Sequence, residues 1–399
     1  MATQPLHDVS LGDPDLFVDG APHELLTELR ATTPVAWQEM DGQQGFYAVL
    51  THADVVAVAR QPNLYSASEG GVVLEDLAEA QLEMMRHMLL AMDPPRHVEH
   101  RRPLADSFKG KVIADLEPQI RTICRELMDD AAERGEVEFV HDVTSGLPTR
   151  VIGQLMGLPE EDWDMIHQLA EQQTSGQDAD VADQTSLIDM AMYAIEFAGR
   201  RRAEPPREDL TTLILEADFG GEQMNDIDFG SFFVQLVTAG NDTTKTMLSS
   251  GLYALLLHPD QLAEVRSDPA LIPGALEEML RWANPLHYFR RTVTADTELH
   301  GVELPVGTKV AMYYTSANRD EAVFDDSQAF DIHRSPNPHL SFGIAEHFCL
   351  GVHLARLEGR VFFEELLDRF PRIELAGDPV HLRSNLNNAF KRLPVLLHE

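Results

Sequence analysis

The stretch from Asp226 to Leu257 constrains the fold more than any other part of this chain. It reads DIDFGSFFVQLVTAGNDTTKTMLSSGLYALLL. Phe229, Phe232, Phe233, Leu236, Val237 and Gly240 fall on one broad apolar stripe at helical spacing. A helix of this length extends about 48 Å at 1.5 Å per residue. That is too long for an ordinary globular helix, too irregular for a coiled coil and too interrupted by polar residues for a membrane span. It therefore predicts a helix that crosses the core of a large, mainly helical protein. A chain of 399 residues with 44% hydrophobic content can supply that core, as one unit or two domains. Mid-helix stands AGNDTT: Ala239, Gly240, Asn241, Asp242, Thr243 and Thr244. Gly240 weakens the helix, and a threonine hydroxyl can return to the carbonyl of Ala239 and open the turn. By themselves these residues fit either a satisfied polar patch or a site for moving protons.

A second stretch, SFGIAEHFCLGVHLARLEGR over residues 341–360, sets Cys349 between a glycine-bearing loop and a helical run. Leu350, Leu354, Leu357 and Val361 recur at intervals of three and four. A thiolate at a helix start meets the positive end of the dipole and unpaired N–H groups, a good setting for a sulfur held against a metal. Taken bare, a lone cysteine also reads as a small buried hydrophobe. Two shorter spacings carry little on their own. His97 and Arg101 lie four apart and share a helix face, like many solvated pairs. Glu278 and Arg281 span one turn, like many exposed pairs.

Together these stretches resemble the motifs of cytochrome P450 enzymes. Phe342, Gly343, His347, Cys349, Gly351, Leu354, Ala355 and Arg356 match the cysteine loop F-G-x-x-x-H-x-C-x-G-x-x-L-A-R, with Ala345 in place of its usual second glycine. AGNDTT is similar to the A-G-x-[D/E]-T of the long I helix, and His97 with Arg101 to the H-x-x-x-R of the C helix. Glu278 and Arg281 match the E-x-x-R pair. Phe330, Asp331 and Arg334 match its F-D-x-x-R partner, with Ser327 where a proline is usual. The motifs keep the family's order, and the resemblance spans roughly residues 20–395.

The resemblance implies a mainly α fold with a smaller β region, a triangular prism with the long helix over a haem. Residues 1–20 would form a loosely held N-terminal arm. Residues 21–399 would form a single catalytic domain, β-rich mainly at 30–60, 285–320 and 372–399. Cys349 would be the axial thiolate of a haem b (iron protoporphyrin IX), pushing electron density toward the metal. Phe342 would shield the sulfur, while Gly343 and Gly351 let the loop pass close under the ring. His97, Arg101, Arg291 and His347 would meet the propionates, since buried carboxylates need partner charges. Ala239 and Gly240 would leave room for O2, and Asp242 with Thr243 would relay protons. Glu278, Arg281 and Arg334 would form a buried structural triad. Val72, Val73, Leu74, Phe233, Leu236, Val237, Leu286, His287, Tyr288, Leu386 and Asn387 would line the substrate pocket.

The implied reaction inserts one atom of O2 into a C–H bond of a hydrophobic molecule, a steroid or terpenoid first. Alkanes, fatty acids, natural products and aromatics are the alternatives. A haem sensor or carrier would keep Cys349 but have little need of Asp242 and Thr243. Acids outnumber bases 66 to 31, a formal charge of −35, which argues against nucleic acid and anionic membranes as partners. Two cysteines give no disulfide framework and fit a reducing cytoplasm. The opening MATQPLHDVSLGDPDLF is neither a signal peptide nor a membrane anchor, in keeping with the family's bacterial, cytoplasmic and monomeric type. That type takes electrons from a ferredoxin and an NAD(P)H-dependent ferredoxin reductase. Arg101, Arg102, Lys109, Lys111, Arg356 and Arg360 concentrate base around the C helix and the cysteine loop, a candidate docking patch. The polar segment 176–184 falls near the family's lid, without assignable contacts.

Overall fold

The computed structural model describes residues 9–175, 177–183 and 185–398. Its helices are α1 (His23–Thr32), α2 (His52–Ala59), α3 (Glu79–Arg86), α4 (Arg96–Ala105), α5 (Gly110–Ala114), α6 (Glu117–Arg134), α7 (Gly146–Met156), α8 (Trp163–Thr174), α9 (Ser186–Ala203), α10 (Leu210–Glu216), α11 (Asp226–Leu257), α12 (Pro259–Ser267), α13 (Ile272–Ala283), α14 (Tyr314–Ala317) and α15 (Val352–Arg369). Its strands are β1 (Val35–Met40), β2 (Gln43–Val49), β3 (Tyr65–Ser66), β4 (Glu136–Glu138), β5 (Tyr288–Val293), β6 (Thr297–Leu299), β7 (Val302–Leu304), β8 (Lys309–Tyr313), β9 (Arg372–Leu375), β10 (Val380–His381), β11 (Phe390–Arg392) and β12 (Pro394–His398). No described helix is long and apolar enough to cross a membrane.

Helix α11 matches the bounds read from the sequence, and its ends explain themselves. Asn225 caps it by accepting the N–H groups of Ile227 and Asp228, and Asp226 and Asp228 place negative charge in the first turn. Pro259, the first residue of α12, follows its C-terminal end. The helix does not open at AGNDTT: it runs unbroken, because the Thr243 hydroxyl adds a bond to the Ala239 carbonyl at 2.7 Å without displacing the backbone. Phe229, Phe232, Phe233 and Val237 are fully buried against α7, α8 and α9. Removing one such phenyl ring costs about 3–5 kcal/mol. Further along, α11 packs on α13 and α15, which bring the two other motif regions to it.

The larger sheet has five strands in the order β1-β2-β8-β5-β3. β2 and β8 run parallel, whereas β5 pairs antiparallel with β8 and sets Tyr288 opposite Tyr313. A second sheet orders β4-β12-β9. β3 and β4 are short strands outside the expected β-rich ranges, each recruited by a longer neighbour, β5 and β12 respectively.

Residues 9–20 are not a loose arm. Leu11 and Phe17 are buried among Tyr288, Tyr313 and Leu26. The Tyr313 hydroxyl donates to the Leu11 carbonyl at 3.0 Å, and Asn385 Nδ2 donates to the Gly12 carbonyl at 2.7 Å. Neither residue belongs to a periodic apolar pattern, and their burial is decided by partners far along the chain. Residues 1–8 of the expected arm, and Gly176 and Gln184 of the polar segment, lie outside the described residues.

Glu278 and Arg281 are both wholly buried on α13 and form a two-pronged pair, with Nε and Nη2 each 2.7 Å from a carboxylate oxygen. Arg334 Nε adds bonds of 3.2 Å to both oxygens, and the Asp331 N–H donates to Oε1 at 2.9 Å. The Ser327 carbonyl, at the position of the missing proline, accepts from Arg281 Nη1 at 2.8 Å. Such a network holds the segment before the cysteine loop in register with α13; breaking a buried pair of this kind costs roughly 3–5 kcal/mol.

Candidate active site

Cys349 sits at the end of a tight loop. The Gly343 N–H donates to the Leu340 carbonyl and the Cys349 N–H to the Phe342 carbonyl, both at 2.8 Å. Gly343 takes φ +66°, a conformation glycine adopts without strain. Ala345 also lies in this left-handed region, at φ +59°. Beside the loop the Arg356 guanidinium stands 4.9 Å from the centre of the Phe342 ring and grips Glu277 with two bonds of 2.7 Å. Burial pushes the Cys349 thiol up, while the Gly351 N–H and the charges of Arg101 and Arg356 pull it the other way.

Next to Cys349 the structure gathers His97 and Arg101 from α4, Arg291 from β5 and His347 from the loop. The His97 and His347 rings are 4.4 Å apart between centroids. Both ring nitrogens of His97 and Nε2 of His347 are buried without a hydrogen-bond partner among the described residues. Arg291 is 6% exposed and its Nη1 donates only to the neighbouring Arg290 carbonyl, while Arg101 Nη2 donates to the Phe348 carbonyl at 2.6 Å. None of these side chains forms an ion pair with a carboxylate among the described residues. Burial first, then Arg101 and Arg291, holds His97 down to about 4; burial, then Arg291, His97 and Arg101, holds His347 down to about 2. Buried donors and cations that no carboxylate pairs directly among the described residues fit an anionic group supplied from outside the chain. The residues present therefore fit a haem: His97, Arg101, Arg291 and His347 would hold its carboxylates and the Cys349 sulfur would hold its metal.

Across the interior, Gln235, Ala239 and Thr243 lie four residues apart on α11. Ala239 is exposed and Gln235 and Thr243 are half-buried, whereas Phe233, Val234, Val237 and Asn241 around them are packed. That stripe therefore faces open interior space. Thr244, the next residue, approaches Glu358 of α15 at 3.5 Å. Asp242 points away from Thr243. Its Oδ2 accepts the Thr174 hydroxyl, and its Oδ1 lies 3.1 Å from Lys245 Nζ, an ion pair off the hydrogen-bond direction. Lys245 Nζ also donates to Glu171 at 3.0 Å, and His141 stands 3.5 Å from the same carboxylate. A cavity of about 30 Å³, lined by His141, Glu171, Thr174, Asp242, Lys245 and Asn387, lies at this cluster and can hold water. Lys245 and Glu171 were missed in the sequence. Lys245 lies three residues after Asp242, and that spacing was the available signal.

The expected pocket residues divide. Leu236, Leu286, Leu386, Asn387 and Val73 keep accessible surface. Val72, Leu74, Phe233 and Val237 are buried in the packed interior. Tyr288 is wholly buried, accepting the Leu74 N–H and donating to Asn385 Oδ1 at 3.3 Å each. His287 is buried against Phe17 with its Nδ1 2.9 Å from the Thr315 hydroxyl, and burial holds it down to about 3. The polar ends of His287 and Tyr288 are thus taken up by the scaffold.

Of the basic residues around the loop, Lys109 pairs with Asp106 at 2.6 Å, Arg356 with Glu277, and Arg360 with Glu117 at 2.5 Å and Glu364 at 2.8 Å. Arg102 and Lys111 are exposed and form no ion pair among the described residues. A groove of about 240 Å³ runs beside them, lined by Gly110, Ile113, His353, Arg356 and Arg360 among others.

Comparison with known proteins bears on this geometry. Residues 270–392 match the sequence model of the family described as Cytochrome P450. A steroid C26-monooxygenase of Mycolicibacterium smegmatis is 35% identical over 401 residues, covering 97% of this chain and 93% of the relative. A Mycobacterium marinum cytochrome P450 solved in complex with pseudoionone superimposes with a TM-score of 0.90 at 34% identity, covering 100% of both chains. A cytochrome P450-153 from Novosphingobium aromaticivorans gives 0.87 at 30% identity, over 97% of this chain and 99% of that one. The fold, the cysteine loop and similarity along nearly the whole sequence leave one conclusion: the chain belongs to the cytochrome P450 family of haem-thiolate monooxygenases.

Proposed function

We propose that this chain hydroxylates a steroid or terpenoid, with Cys349 as the haem ligand and the Asp242–Thr243 pair handling protons. The observation that carries the reading is the cluster of His97, Arg101, Arg291 and His347 beside Cys349, which forms no ion pair among the described residues, with an open stripe of α11 across from it. When bound, the haem supplies oxygen activation, and the thiolate assists O–O cleavage. His97, Arg101, Arg291 and His347 hold its carboxylates and fix its orientation. Phe342, packed under Arg356, keeps water from the sulfur.

Thr243 presents a hydroxyl whose proton rests on the Ala239 carbonyl at 2.7 Å and whose lone pairs remain available to a donor above it. Asp242 is parked on Lys245 and Thr174, at the cavity that reaches Glu171 and His141. Rotation of its carboxylate between that cluster and Thr243 moves a proton inward without admitting bulk water.

The steroid C26-monooxygenases and the pseudoionone complex among the relatives support the substrate class, as does the apolar character of Leu236, Leu286 and Leu386. Electrons come from a ferredoxin and its NAD(P)H-dependent reductase, docking where Arg102 and Lys111 are free. The test is titration of the haem-loaded protein with a steroid, terpenoid and fatty-acid panel, read by the Soret band and the reduced carbon monoxide adduct. A thiolate-type adduct with a high-spin shift for a steroid or terpenoid is expected. A good adduct with shifts only for fatty acids removes the substrate class, and a folded, haem-loaded protein without the thiolate-type band removes Cys349. Thr243→Ala is expected to keep oxygen consumption and lose product, with peroxide in its place.

A further inference from the structure

We propose that Gln235 selects substrates carrying a hydrogen-bond acceptor within a few bonds of the carbon that reacts. This rests on the monooxygenase reading above and narrows its substrate class.

Gln235 stands four residues before Ala239 and eight before Thr243, on the stripe of α11 that faces open interior space. Its Oε1 accepts the backbone N–H of Leu90, in the turn just before α4, at 3.4 Å. Only the oxygen of a carboxamide can accept from an N–H, so this bond fixes which way the group is turned. The amide nitrogen then points elsewhere with both of its protons, and it donates to nothing among the described residues. The neighbouring positions on this side, Leu90, Leu236 and Ala239, are apolar. Gln235 therefore offers an unpaired donor beside these apolar residues, whereas the nearby Thr238 and Thr243 hydroxyls already donate to Gln173 and to the Ala239 carbonyl.

An all-hydrocarbon molecule that covers this nitrogen strips water from it and returns no bond. A carbonyl or hydroxyl oxygen in reach restores the bond. Sites built to bond a polar group reject analogues that lack it more strongly than an apolar wall rejects a methylene. Position sets where the acceptor must be. Gln235 is about 6 Å along the helix axis from Ala239. The acceptor thus lies near the reacting carbon, not at the far end of a long molecule. An oxygenated terpenoid meets this requirement. An alkane, or a fatty acid attacked far from its carboxylate, does not.

The experiment measures spectral Kd values for two matched pairs on the haem-loaded protein and its Gln235→Leu and Gln235→Met variants. One pair is the terpenoid ketone geranylacetone and its deoxygenated hydrocarbon. The other is acetylimidazole and ethylimidazole, each substituted on carbon, whose ring nitrogen binds haem iron whether or not terpenoids are substrates. The ketone-to-hydrocarbon Kd ratio is expected to shift at least about fivefold toward the hydrocarbon in both variants. An unchanged ratio in variants with a normal carbon monoxide adduct overturns the assignment. A wild type that binds neither terpenoid but shows the imidazole shift refutes the terpenoid reading and leaves the role of Gln235 standing. If the terpenoids bind and the ratios do not move, the converse holds.

Discussion

The ammonium of Lys245 lies 3.1 Å from the carboxylate of Asp242, one turn earlier on α11, and both side chains are nearly closed off from solvent. Burial alone would push this amine down, but the charges of Asp242 and Glu171 outweigh it and hold it above its ordinary value. A buried cation shared by two carboxylates is costly to delete. Lys245→Met is expected to destabilise the haem-loaded protein by roughly 3–5 kcal/mol in urea unfolding. Adding Glu171→Gln should recover part of that loss, because one uncompensated charge goes with it. Equal stability of wild type and Lys245→Met would show that the ion pair is not held in solution.

Ala345 occupies the left-handed region at φ +59°, where a Cβ costs about 1–2 kcal/mol. Glycine relieves that strain and gives back part of the gain as unfolded-state entropy. Ala345→Gly is expected to stabilise the protein by about 0.5–1 kcal/mol, a rise of about 1 °C in the thermal midpoint for a chain of this size. The Soret band should stay where it is. A lowered midpoint would mean that the loop adopts another conformation.

Glu358 is buried on α15 with the Thr244 hydroxyl as its one hydrogen-bond partner among the described residues, and burial pushes its carboxyl up to about 8. A folded-state value raised above the unfolded one favours the folded protein at low pH, and that contribution is lost as pH climbs from about 4.5 to about 8. Glu358→Gln removes the titration and keeps the shape. Its stability relative to wild type should grow across this window by a few kcal/mol and stay level above it. Parallel stability curves for the two proteins would place the ionisation of Glu358 at its ordinary value.

Arg360 is neutralised by Glu117 and Glu364, whereas Arg102 and Lys111 are not paired among the described residues. For ferredoxin-supported turnover, Arg102→Glu and Lys111→Glu should each raise the KM for ferredoxin severalfold and flatten its salt dependence. Arg360→Glu should do less to KM and more to stability, since it strands two acids. The reverse order would move the docking surface toward α15.

What the sequence revealed follows from how local each signal is. Helix α11 was legible because its apolar stripe lies within the segment itself. The Glu278–Arg281 pair was legible only through its resemblance, since nothing in a four-residue spacing says that it is buried. Tyr288 and His287 were expected at the pocket, yet β5 is a central strand packed on both faces, and no alternation distinguishes its two sides. Lys245 and Gln235 are ordinary polar residues on a long helix. Their roles depend on Glu171 and Leu90, 74 and 145 positions away.

The burial of residues 9–20 has a consequence for how the chain is made. Leu11 and Gly12 are held by side chains 302 and 373 positions later, and Asp15 by Arg383. During synthesis the helical body can condense before these partners exist. This segment is thus covered only after much later residues are made, and a nascent chain stalled short of Tyr288 would still present Leu11 and Phe17 to whatever holds incomplete proteins in the cell.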